Sequence, residues 1–296
     1  MILNISQLAL NECQDILQHL IAPRPIALAS TIDEEGNVNL SPFSFFNLFS
    51  TNPPVIIISP SRRVRNNTTK HTLDNIRVVP EMGISIVTYD IVQQTALASG
   101  DYPKGVDEFE KAGFTKRASM LIAPPVVGEA VASFECCVNE VKSLGEQGGA
   151  GQLVIAEILC VHIKDDIISD NKIDQQKIQH VARLGGEWYA NISPQNLFRV
   201  TKAKEPGIGM DALPPAIRMS EILTGNHLAK LAGAGALPKR KNKFSDERLD
   251  AIFTYFGNSH DRLRRIHMYA KELIEEGRIE HAWQVLLHNR LTVTGS

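Results

Sequence analysis

The chain has 296 residues, 43% apolar and 22% charged, the balance of a globular protein with one large domain or a domain plus an extension. Its net charge of −2 gives no attraction for nucleic acid or an anionic membrane, and no apolar stretch is long enough to span a bilayer. The four cysteines form no CxxC pair and the N-terminus lacks a basic segment, so a reduced, cytoplasmic protein without a secretory signal is expected.

Asn11 to Leu20 reads as a short helix. Ile26, Leu28 and Ser30 then alternate with Ala27, Ala29 and Thr31, which predicts a strand. Asp33 to Asn37 supplies a turn in which Gly36 can adopt positive φ, and Val38 and Leu40 open a second strand. Ser41-Pro42-Phe43-Ser44-Phe45-Phe46-Asn47 reads as a polar and aromatic loop. After Pro53-Pro54, the β-branched run Val55 to Ser59 predicts a buried third strand. Asp74 to Val78 reads as the end of a helix, Gly83 to Tyr89 as a strand, and Ile91 to Ala98 as helical. Val126 to Leu144 and Leu153 to Lys164 are long extended segments flanking a glycine-rich turn at 145–151, a β-hairpin. Adjacent Cys136 and Cys137 fall in its first strand and point to opposite faces. So strand-rich a pattern, with few helices between, favours a barrel over a doubly wound sheet.

The texture changes after about Arg199. Lys204-Glu205-Pro206-Gly207 and Leu213-Pro214-Pro215 read as a linker. Helical periodicity follows over Met219 to Leu231, Asp246 to Phe256, His260 to Glu276 and Arg278 to His288. Ser245 is read as an N-cap followed by first-turn acids Asp246 and Glu247, with Gly257 and Gly277 at helix stops. Residues 201–296 are therefore expected to be a helical extension of a 1–200 domain. The spacing of Ala270, Leu273, Gly277, Ala282 and Leu286 resembles one tetratricopeptide hairpin. Such repeats need about three copies to bury a continuous core, so a simple helical hairpin is the better reading. The basic run Lys239 to Lys243 reads as a solvated loop.

Three segments carry the chemistry. Hydroxyls, an amide and aromatic rings held between strands over residues 41–47 suit a flat heterocycle with a polar edge. Ser59-Pro60-Ser61-Arg62-Arg63 follows a strand and Lys70-His71-Thr72 precedes a helix. Hydroxyls, positive charge and helix N-terminal amides converging from both suit a phosphate.

The order of these segments, followed by Asp107-Glu108-Phe109-Glu110-Lys111-Ala112-Gly113-Phe114-Thr115 and Arg183-Leu184-Gly185-Gly186-Glu187-Trp188-Tyr189, resembles the flavin reductase-like, FMN-binding split-barrel family. Flavoredoxins and the reductase components of two-component monooxygenases belong to it. The resemblance covers about the first two thirds of the chain. It implies a mostly β fold with helices, an FMN-binding split β-barrel followed here by the helical extension, and a homodimer with flavin near the subunit interface. It also implies NAD(P)H-dependent flavin reduction or flavoredoxin-type electron transfer, in which nicotinamide passes hydride to flavin N5. A downstream electron acceptor or monooxygenase would take the electrons.

Carried onto these residues, Ser41, Ser44 and Asn47 serve the ring edge, with Phe45 or Phe46 packed on the ring or ribityl chain. Ser59, Ser61, Arg62, Lys70 and Thr72 serve the phosphate. Alternation leaves Arg62 and Arg63 open as the phosphate partner. The family usually shows Lys-Asp-Thr where this chain has Lys70-His71-Thr72. An FMN-binding carrier or sensor without intrinsic NAD(P)H oxidation, acting through the extension, is the alternative.

Competing sites fail on sequence. Gly233-Ala234-Gly235 follows no strand and completes no GxGxxG, and the 145–151 turn has no following Lys-Ser/Thr. No GxSxG elbow occurs, so no catalytic nucleophile is expected. His260 with His267, and His281 with His288, are seven residues apart, about 10 Å along a helix, which is too far to share a metal. No metal ligands are expected.

Overall fold

The computed structural model describes residues 1–200, 205–257 and 259–288. Lys204, where the expected linker begins, lies outside the described residues. Two compact units form, Met1–Phe198 and Arg199–Ser296.

In the first unit, helix α1 (Leu10–Leu20) leads into strands β1 (Ala27–Ile32), β2 (Val38–Phe43), β3 (Phe46–Thr51) and β4 (Pro54–Ile58). Helix α2 (His71–Ile76), strand β5 (Glu81–Ile86) and helices α3 (Val92–Ala98) and α4 (Glu108–Ala112) follow. After the short β6 (Lys116–Arg117) and β7 (Val126–Val127) come the long β8 (Ala132–Ser143) and β9 (Gln152–Ile163). Short pairs β10 (Ile168–Ser169) with β11 (Lys172–Ile173), and β12 (His180–Arg183) with β13 (Tyr189–Ile192), end the unit.

Seven strands make one antiparallel sheet in the order β2-β1-β5-β8-β9-β4-β3. The edge strands β2 and β3 are consecutive in the chain and separated only by Ser44 and Phe45, yet they share no ladder. The sheet is thus a barrel left open along one seam, the split β-barrel, and a helical region follows it. The first turn forms as its residues dictate. The Asp33 carboxylate accepts the Glu35 and Asn37 N–H groups at 3.0 and 2.9 Å, and Gly36 has φ of 84°.

The expected 41–47 loop is corrected by the sheet. Ser41 to Phe43 remain in β2, and Phe46 and Asn47 open β3, pairing with Ile58 and Ile57. Only Ser44 and Phe45 turn. An edge strand is hydrogen-bonded on one side, so its exposed Asn47, Leu48 and Phe49 show none of the alternation that marks a half-buried strand.

Alternation along β1 builds two cores. Ile26 and Leu28 pack with Ile91, Ala98, Phe109 and Ala112 beneath α3 and α4. Ala27 and Ala29 face Ile56, Ile58, Leu73, Met82, Ile84 and Cys136. Cys136 is buried and Cys137 half-buried, as opposite faces of one strand require.

The second unit contains α5 (Pro215–Arg218), α6 (Gly225–Ala232), α7 (Glu247–Tyr255), α8 (Ser259–Glu275) and α9 (Ile279–Leu287). Its core gathers Leu213, Ile217, Leu231, Ile266, Leu273 and Trp283. Two expectations shift. The helix read from Met219 starts only at Gly225, because the Ser220 hydroxyl accepts the Ile222 and Leu223 N–H groups at 3.2 and 3.1 Å and holds a turn. The cap of α7 is Asp246 instead of Ser245; its carboxylate accepts the Leu249 N–H at 2.8 Å. Gly277, with φ of 79°, ends α8 and turns the chain into α9. Among the described residues no helix is long and apolar enough to cross a membrane.

Candidate functional site

The seam of the barrel sets the first half of the site. The Ser59 N–H donates to the Phe45 carbonyl at 2.8 Å, fastening the β2–β3 turn to the end of β4. This leaves the Phe45 ring 43% exposed, with the Arg24 guanidinium 6.0 Å from its centroid. Phe46 instead packs on the sheet core. Asn47 is exposed, and its side-chain oxygen accepts the Leu48 N–H at 2.8 Å. Ser41 and Ser44 are half-buried on either side of Phe43, Ser41 opposite Ala29.

Arg24 is the residue that the sequence reading missed. It is buried, and its Nη1 donates to the carbonyls of Gln18 and Ile21 at 2.6 Å each while its Nη2 donates to Leu184 at 2.8 Å. Its backbone pairs with Arg183 in both directions, at 3.0 and 2.8 Å. Burial, and then the Arg183 charge, push its pKa below the ordinary value. Arg24 therefore binds the end of α1 and the 183–189 block to the edge of Phe45. Within that block Arg183 lies 4.5 Å over the Tyr189 ring, and Trp188 is 73% exposed. A side chain at Gly185 would put Cβ 2.2 Å from the His19 ring, so the glycine here is a packing requirement. The Arg-Pro signal at Arg24 was present in the sequence, but its partner 160 residues away was not readable.

The second half of the site lies where β4 continues past its ladder. Ser61 bridges Gly151, the Gln152 N–H donates to the Pro60 carbonyl at 3.1 Å, and the Arg62 N–H to Ala150 at 2.9 Å. The glycine-rich turn is thus occupied by 59–62. A Cβ on Gly151 would stand 2.6 Å from the Ser59 hydroxyl, so any side chain here would displace that hydroxyl.

The structure separates the two arginines. Arg62 turns back on its own loop, donating from Nε to the Asn67 side chain at 2.7 Å. Arg63 crosses to Asp101 through Nη2 at 2.8 Å and Nε at 3.0 Å, and also reaches Thr68 at 3.2 Å and the Thr69 carbonyl. Lys70, at the N-cap of α2, is half-buried. Burial first, and then the Arg63 charge, lower its pKa, against an opposing pull from Asp101. Among the described residues its ammonium makes neither a hydrogen bond nor a salt bridge. Thr72 points the other way, donating its buried hydroxyl to Asn39 at 2.8 Å. Asn39 and the Leu40 N–H in turn donate to the two oxygens of buried Glu108, at 2.8 and 2.9 Å.

The sequence-predicted residues thus fall in two groups. Ser41, Ser44 and Phe45 line the seam with Arg24. Phe46 packs on the core and Asn47 is exposed on β3; Ser59, Ser61, Arg62, Arg63 and Lys70 flank the end of β4, both guanidiniums already bonded within the protein, and Thr72 turns away to Asn39.

Residues 20–177 match the family model described as the flavin reductase like domain. An uncharacterized protein of Aquifex aeolicus is 34% identical over 171 residues, covering 57% of this chain and 85% of the relative. Nitrilotriacetate monooxygenase component B from Bacillus cereus is similar in structure, with a TM-score of 0.63 and 26% identity over 68% of this chain and 98% of that one. A split barrel domain protein from Shewanella frigidimarina gives a TM-score of 0.58 and 28% identity over 67% of this chain and 96% of that one. With more than half of its length inside that domain, carrying both halves of the seam site, the chain belongs to the flavin reductase-like family.

Proposed function

We propose that the first unit binds FMN along the barrel seam and serves as an NAD(P)H-dependent flavin reductase or a flavoredoxin-type electron-transfer protein. The observation that carries this reading is the pairing of Lys70 with Arg63. The half-buried Lys70 ammonium has no carboxylate bonded to it, and its burial and the Arg63 charge, only partly offset by the Asp101 that Arg63 binds, cost electrostatic energy that a dianionic phosphate would relieve. The exposed Phe45 ring and the hydroxyls of Ser41 and Ser44 fit a flat heterocycle with a polar edge.

In this reading Arg63 and Lys70, with Ser59 and Ser61, hold the phosphate, and Thr72 holds β2 and α2 in place behind them through Asn39. Bound FMN supplies the two-electron redox chemistry. The residues of this chain bind and orient, and a fixed cluster of donors and positive charge favours the more negative, reduced form. No side-chain nucleophile or acid–base pair is assigned. A homodimer belongs to the same reading, supported by the exposed apolar stripe Leu159, Val161 and Ile163 on β9. A monooxygenase as electron acceptor is supported by the likeness to a monooxygenase component B. The four free cysteines support a cytoplasmic setting.

The test is the absorption spectrum of the purified protein, followed by NADH and NADPH oxidation with FMN, FAD or riboflavin. A flavin band and pyridine-nucleotide oxidation are expected. A protein that neither carries nor binds FMN overturns the reading. FMN binding without nucleotide oxidation favours a carrier or sensor, a reading supported by the second unit having a hydrophobic core of its own.

A further inference from the structure

We propose that Glu135, Cys160 and His162 form a binding site for a divalent transition-metal ion, Zn2+ by its donor chemistry, on the wall of the barrel. Glu135 of β8 stands directly opposite Cys160 of β9, and His162 lies two residues further along β9, on the face of the strand that Cys160 occupies. One carboxylate oxygen, the thiol sulfur and one imidazole nitrogen all lie within 4.8 Å of one another. A tetrahedral zinc ion with these three ligand types holds its donor atoms about 3.4–3.6 Å apart. The Cys160 sulfur would have to move in by about 1 Å, while His162 Nε2 and the Glu135 oxygen it now hydrogen-bonds would have to part by about as much, both within side-chain reach. Nothing in the flavin site uses these residues.

Charge and support argue for an ion here. The Glu135 side chain is 0% exposed and that of His162 8%. Among the described residues no lysine or arginine pairs with this carboxylate; its partners are the Met120 and Leu121 N–H groups, at 2.8 and 2.6 Å, and His162 Nε2. A buried carboxylate thus stands with two backbone donors and an imidazole but without a permanent counter-ion. Zn2+ would take the position of the proton shared with His162. Glu135 would keep both backbone donors, which then orient the ligand from behind. Cys160 would bind as thiolate and release its proton, and carboxylate plus thiolate would neutralise the ion. Cys160 is half-buried, so its accessible part gives the ion an entry path and leaves the fourth position to water.

The experiment uses the full chain without a polyhistidine tag, stripped with chelator and dialysed. Zn2+ affinity is measured against a chromophoric chelator, and Co2+ is added to read the ligand set in difference spectra. One equivalent of Zn2+ per chain and a thiolate-to-cobalt charge-transfer band are expected. Cys160→Ser should abolish that band and weaken Zn2+ binding by about tenfold or more, and His162→Gln should weaken it likewise. Cys137→Ser should change neither. Circular dichroism checks that each variant is folded, and Cys160→Ser, a near-isosteric change at a half-buried position, remains informative if the buried His162 variant does not fold. Absence of stoichiometric binding, or a Cys160→Ser variant with unchanged affinity and band, would overturn the proposal and leave a Glu135–His162 ion pair.

Discussion

Thr72 donates its hydroxyl to the Asn39 side chain across 2.8 Å, and Asn39 passes a hydrogen bond of the same length to Glu108. One buried chain thus ties α2, β2 and α4 together behind Lys70. Thr72→Val should lower stability by about 1–3 kcal/mol, because the Asn39 oxygen is left buried without a donor. FMN affinity of the folded variant should stay near wild type. Denaturant unfolding and FMN titration check the pair; lost FMN binding at full stability would put the hydroxyl on the ligand.

Lys70→Ala should weaken FMN binding by about 1.5–3 kcal/mol if the phosphate is held directly. Arg63→Ala should cost more than Arg62→Ala, since Arg63 is the arginine whose charge acts on Lys70. Titration of the flavin-free protein with FMN reads both. Equal losses for the two arginines would move the phosphate away from Arg63 and toward the loop backbone.

These two predictions divide along what the sequence could carry. The strands around Gly36, the long hairpin and the helical texture after Arg199 are local patterns, and each was legible. The nearness of 59–63 to 70–72 was legible too, because only six residues intervene. The different courses of Arg62 and Arg63 were not: they depend on a loop that turns through Asn67 at φ of 53° and brings Arg62 to Asn67, and on Asp101, which takes Arg63. Strand β3 hid because an edge strand with exposed Leu48 and Phe49 has no buried face to announce it. The contacts of Arg24 with Leu184 and of Glu135 with His162 are products of topology, which no local pattern reveals.

Acid should loosen the helical unit. His267 is 4% exposed with Nδ1 2.7 Å from the Ser220 hydroxyl, and burial holds its pKa below the ordinary 6.5. The unfolded chain therefore takes up a proton near pH 6.5 that the folded one resists. The stability tied to a neutral His267 is fully present above 6.5 and falls as pH drops through the lower folded value. Thermal unfolding followed by circular dichroism should show this decline, and His267→Gln should flatten it. An unchanged slope in that variant would assign the decline to other groups.

Asp246 ties together three helices of that unit. Its carboxylate caps α7 and also accepts the Tyr269 hydroxyl at 2.7 Å and His281 Nε2 at 2.5 Å. Burial, together with the bond to Asp246, pushes the Tyr269 pKa up to about 12. Asp246→Ala should cost about 2–4 kcal/mol, a lost cap plus two orphaned donors. Tyr269→Phe should cost about 1 kcal/mol. Chemical denaturation measures both, and equal costs would mean that the cap and the His281 bond add nothing.

The chain has two tryptophans, and the structure puts one in each unit: Trp188 at 73% exposure beside Arg183, and Trp283 at 1% in the helical core. Their emission should differ in colour, red-shifted from the wet indole and blue-shifted from the dry one. A shift of the blue component to the red follows the melting of the helical unit alone. Quenching of the red one when flavin is added follows events at the barrel seam. The protein thus carries a separate optical reporter for each of its two units, with no label attached.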